Sequence, residues 1–100
     1  MQTFNITSAT TTTLREQYAQ SGSVNSIRFT NTHASTAVNV KLFLEDSSSN
    51  KFYIAAVDIP GLTTLMLDEQ LGYSNATYSL KLTTTAGGLS TSTPLTVIVK

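Results

Sequence analysis

"AVNVKLFLED", residues 37–46, decides the fold. Val38, Val40, Leu42 and Leu44 recur at every second position, with Asn39, Lys41 and Glu45 between them and Phe43 among the polar set. A period of two sends alternate side chains to opposite faces of an extended chain, so the stretch predicts a half-buried β-strand. The same period recurs on both sides of it. Ile27 and Phe29 alternate with Ser26, Arg28 and Thr30; Tyr78, Leu80 and Leu82 alternate with Ser79, Lys81 and Thr83. Leu65 and Leu67 share a face, and Leu95, Val97 and Val99 share another against Thr96 and Lys100. "KFYIAAVDI", residues 51–59, is apolar at both parities. That predicts a central strand covered on both faces, or a strand that meets a partner.

Turn chemistry separates these runs. "EDSSSN" (45–50) reads as a polar hairpin loop, because Asp, Ser and Asn bond their own backbone there. "IPGL" (59–62) reads as a Pro-Gly turn, with Gly61 supplying the positive φ. "LGYSNA" (71–76) and "AGGLSTST" (86–93) are further loops, and the Gly-Gly pair suits a tight turn. Helix signals are scarce: Ser and Thr supply 30 residues, 18 of them Thr, and β-branched side chains lose rotamer freedom in helices. "LREQYAQ" (14–20) is the one run of helix formers, read as a strand with a one-turn helix as the alternative. Strands at this spacing predict an all-β chain: a single antiparallel β-sandwich, Ig-like or jelly-roll-like, of about 7–8 short strands. Residues 13–100 are assigned to the sandwich, and residues 1–12 to an N-terminal arm or edge strand.

Composition narrows the function classes. Charged residues make up 12%, and six Lys and Arg balance six Asp and Glu. Nucleic-acid binding needs a basic stripe and membrane-surface attraction a polybasic cluster, and neither is present. The chain has no cysteine, which excludes a disulfide scaffold, a thiolate zinc site and a Cys nucleophile. "MQTFNITSAT" lacks the basic and apolar regions of a secretory signal, so synthesis and assembly in a cytoplasm are expected. The two N-x-[ST] sequons, at Asn5 and Asn75, carry no weight beside so many hydroxyl residues.

Catalysis is not expected. His33, the single histidine, lies in the polar loop "TNTHAST" (30–36), and no G-x-S-x-G elbow accompanies it. The acidic pairs Glu45–Asp46 and Asp68–Glu69 are strand neighbours, which point to opposite faces and do not converge on one ligand. A weak calcium site in the 45–50 loop is the one metal reading considered, and no cofactor is implied. Phe43, Phe52, Tyr53 and Tyr73 fall at loop or outward-facing positions, and aromatics placed there are enriched at protein interfaces. They are the candidate interface residues.

The succession "TNTHAST", "VNVKLFLED", a polar hairpin, "KFYIAAVDIPGLTTLMLDEQLGYSNATYSLKLTTT" and a closing "PLTVIVK" resembles small β-sandwich virion proteins of tailed bacteriophages. The resemblance spans roughly residues 23–100, and "IPGLTTL" is its most distinctive piece. It implies a non-catalytic structural role in the virion: a decoration or cement protein on the major capsid shell, or an accessory of the neck, tail or fibre. The partners it implies are the major capsid protein or other virion proteins, and symmetric placement favours a dimer or trimer. A carbohydrate-binding sandwich, with Tyr18, Tyr53 or Tyr73 stacking on sugar, is the reading from a different class.

Overall fold

The computed structural model describes residues 1–18, 23–68, 70–85 and 87–100. Among them there is no helix, and ten strands follow one another. They are β1 (Gln2–Ile6), β2 (Thr11–Arg15), β3 (Ser23–Val24), β4 (Ile27–Asn31), β5 (Val38–Asp46), β6 (Lys51–Ile59), β7 (Thr63–Leu67), β8 (Leu71–Gly72), β9 (Tyr78–Thr85) and β10 (Leu95–Val99). "LREQYAQ" leaves its strand after Arg15 and enters a turn at Gln17–Tyr18; its last two residues lie outside the described ones.

The chain is one long antiparallel ribbon, rolled up. β5 pairs with β6 across the hairpin, then β4 with β7, β3 with β8, β2 with β9, and β1 with β10. Rolling adds two new seams, β10 against β4 and β5 against β9. The product is two four-stranded sheets, β1-β10-β4-β7 and β2-β9-β5-β6. This is the strand order of a jelly roll, in which two Greek keys pack face to face. The count of ten strands exceeds the expected seven or eight because the ribbon stays paired at the corner between the sheets, where β3 and β8 contribute two residues each.

The alternating residues meet between the sheets. Val38, Val40 and Leu42 of β5, Leu80 and Leu82 of β9, Ile27 and Phe29 of β4, and Leu95, Val97 and Val99 of β10 are all at most 2% exposed. Each such burial contributes about 1.5–3 kcal/mol relative to exposure, so these central strands hold the layers together. Thr residues of the outer faces bond across strands, Thr11 with Thr83 at 3.0 Å and Thr30 with Thr64 at 3.1 Å, while Thr84 is buried. Residues 1–12 contain all of β1 and the first two residues of β2. β1 covers β10 along its whole length, from Gln2 opposite Val99 to Ile6 opposite Leu95, and Ile6 is buried.

Two loops depart from their sequence reading. In the Pro-Gly turn the positive φ falls on Leu62, at 53°, and not on Gly61. Gly61 is required for another reason: a Cβ there would stand 2.7 Å from the His33 carbonyl oxygen and 2.9 Å from the Ser35 nitrogen. The hairpin 45–50 closes as its composition suggests. Asp46 Oδ1 accepts from the backbone N–H of Ser48 at 2.9 Å and of Asn50 at 3.0 Å, while Oδ2 accepts from Asn50 Nδ2 at 3.1 Å.

Candidate interaction surface

β6 is the last strand of its sheet, so one of its edges is unpaired. Its reading as a central strand covered on both faces is therefore corrected: Phe52 is 51% exposed, Tyr53 59% and Ile54 38%. The apolar run at both parities has a geometric cause. Leu42 stands opposite Ala55 but Phe43 opposite Tyr53, so Ile54 is an extra residue on β6, a β-bulge. The bulge reverses parity. Ala55, Val57 and Ile59 turn inward on one side of it, and Lys51 and Tyr53 turn outward on the other.

The four candidate aromatics separate into two groups. Phe43 does face away from the core, yet it is only 1% exposed, which corrects its placement on an accessible surface. Tyr53 covers it, ring centroids 5.5 Å apart and planes tilted by 56°, and Lys51 Nζ lies 5.5 Å from its ring centroid. Lys81, opposite Phe43 on β9, is tied at 2.6 Å to Glu45. Phe52 meets Tyr78 edge-on at 5.7 Å. Tyr73 is elsewhere: half-buried, packed on the core, with its hydroxyl enclosed and, among the described residues, without a hydrogen-bond partner. Burial raises the Tyr73 phenol above its ordinary 10.0, and the Arg15 charge opposes this. It is thus a packing residue rather than an exposed contact.

Beside the bulge lies a cleft of about 200 Å³ between the two sheets, lined by Val24, Ile27, Leu42, Ile54, Leu67 and Leu71, with Gln70 its one polar wall. Leu62, in the turn between β6 and β7, and Met66, on the outer face of β7, are further exposed apolar side chains, at 71% and 45%. The sequence reading missed Ile54, Leu62 and Met66. For Ile54 the signal was the loss of alternation in 51–59, which the bulge explains.

The remaining chemical candidates make hydrogen bonds within or next to their own loops. Asn31 is buried at the end of β4; its Nδ2 donates to the carbonyls of Thr36 and Ile59, both at 2.9 Å, and its Oδ1 accepts from His33 N–H at 3.1 Å. His33 Nδ1 accepts from the backbone N–H groups of Ser35 and Thr36, at 3.2 and 3.1 Å. Its ring thereby closes its own loop. Asp46 spends both carboxylate oxygens on the hairpin, and of the other acidic pair Glu69 lies outside the described residues. No group of three or more His, Cys, Asp or Glu among the described residues is placed to hold a metal ion. Comparison with family models, curated proteins and solved structures finds no match to this chain. The arrangement itself offers a two-layer platform with an apolar, aromatic edge along one flank.

Proposed function

We propose that the chain is a non-catalytic structural protein of a tailed-phage virion, a decoration or cement protein that docks on the major capsid shell. The observation that carries this reading is the unpaired β6 edge with Phe52, Tyr53 and Ile54 exposed beside an apolar cleft. Natural sheets usually blunt such edges with charge or proline, and here one Lys, one Asp and the following Pro60 guard nine residues. An edge left this apolar serves strand addition or side-chain docking by another protein. The segment most distinctive in the resemblance, "IPGLTTL", forms the crossover from β6 to β7 on that same flank. A protein that binds assembled shell better than free subunits stabilises the assembly by mass action.

Quantitative mass spectrometry of purified virions from the encoding phage tests this. A copy number comparable to that of the shell subunit supports decoration. A few copies per particle would move the protein to the neck, tail or fibre, and absence from the particle refutes the virion role. The exposed ring of Tyr18, at 77%, favours the sugar-stacking alternative, and binding on a glycan array would select it.

A further inference from the structure

We propose that the occupant of the β6 edge is β6 of a second copy, the two strands pairing antiparallel about a two-fold axis. The inference deepens the reading above, since it takes that flank to be an interface and names what covers it.

Self-pairing is constrained by the bulge. In a regular strand the two-fold must pass through a residue, because only residues of equal parity share a face. Here Ile54 reverses parity, so face matching requires the axis to pass between residues. The register centred between Ile54 and Ala55 then places Lys51 opposite Asp58 of the second copy. Phe52 meets Val57 and Tyr53 meets Ala56. Each pairing unites like faces: Lys51, Tyr53, Ala56 and Asp58 stand on the outer face, and Phe52 and Val57 on the inner. It also uses eight of the nine β6 residues, where registers shifted by two in either direction use six or fewer on matched faces.

Charge selects the same register. β6 carries one cation, Lys51, at its start and one anion, Asp58, near its end. Both are exposed. Antiparallel pairing brings each against its opposite twice over, once at either end. Parallel pairing sets Lys against Lys and Asp against Asp, which is destabilising for directly opposed charges. The two edge charges that would deter an unrelated strand therefore favour this one. Phe52, opposite Leu44 and met edge-on by Tyr78 in the single chain, gains Val57 of the second copy across the ladder.

Sedimentation velocity of the full chain over a concentration series is the test, with circular dichroism confirming each variant's sheet. A dimer is expected. Lys51→Glu and Asp58→Lys should each weaken it about tenfold or more by turning two attractions into repulsions, and the double exchange should restore it. Because the chain has no native cysteine, mixing Tyr53→Cys and Ala56→Cys chains under oxidation gives a second readout, and a disulfide-linked heterodimer is expected. A monomer at every concentration overturns the proposal. So does a dimer indifferent to charge reversal together with no cross-link, which would locate the contact elsewhere. Either result leaves the virion reading to its own copy-number test.

Discussion

Asn31 Nδ2 donates to the Ile59 carbonyl at 2.9 Å, so one buried side chain on β4 ties the end of β6 to the opposite sheet. The same amide holds Thr36 and, through its oxygen, the His33 N–H. This is where the chain crosses between layers, next to the Pro-Gly turn. Asn31→Ala takes a hydrogen bond from each of two carbonyls and one N–H, and the bond to Ile59 is fully buried. A loss of about 2–4 kcal/mol is expected in urea unfolding, and a loss below about 1 kcal/mol would mean that water replaces the amide.

Gly88 packs against the His33 ring, and a Cβ at that position would overlap Cδ2 and Nε2. The ring cannot swing away without giving up the Ser35 and Thr36 N–H groups. Gly88→Ala should therefore destabilise by about 1–3 kcal/mol in the native chain and by much less in a His33→Ala background. A double-mutant cycle measures the difference, and additive effects would contradict the contact.

The hairpin carboxylate sets an acid limit. The Asn50 backbone N–H, with the Asn50 amide and the Ser48 N–H, holds the Asp46 pKa below its ordinary 3.8. A depressed folded-state value means that the stabilisation is complete above 3.8 and lost as pH falls through the lower folded-state value. Carboxyl-resolved NMR titration should show a midpoint below 3.8, and Asn50→Ala should raise it. That variant removes the side-chain amide and keeps the backbone N–H, so an unchanged midpoint would assign the shift to the backbone donors alone.

Tyr73 behaves in the reverse sense. Its enclosed hydroxyl bonds nothing among the described residues, so Tyr73→Phe should be neutral or slightly stabilising at neutral pH. Its pKa is raised in the folded chain, so its contribution is intact below 10.0 and fades as pH rises through the folded value. The Phe variant should lose that alkaline dependence. Marked destabilisation at neutral pH would reveal a partner for the hydroxyl.

Phe43 and Phe52 test the division between packing and contact. Phe43→Ala should cost about 3 kcal/mol, the lower end for a buried Phe, because Tyr53 and Lys51 can settle into the space. Phe52→Ala should cost under about 1.5 kcal/mol in the single chain, where it loses chiefly the edge-on contact with Tyr78. Chemical denaturation of the monomer compares them. Equal losses would place both rings in the folding core.

The alternation of Val38, Val40, Leu42 and Leu44, repeated in 27–29, 80–82 and 95–99, was enough to determine an all-β sandwich, because a period of two can bury one face only as a strand. The 45–50 hairpin was legible for the same local reason: Asp46 finds its donors within four residues. What sequence could not decide depends on pairing across long separations. Whether β6 lies inside or at the rim follows from which strands the rolled ribbon brings together: the seam joins β9 to the far edge of β5 and leaves β6 with β5 as its one neighbour in the sheet. The bulge at Ile54 reverses which residues face out, and no local signal distinguishes it from a slip of register. Phe43 shows the consequence: its outward direction follows from parity, but its burial follows from Tyr53, which only the bulged pairing sets above it. Local periodicity thus chose the strands, while the tertiary roll decided which edge, and which aromatics, were left for a partner.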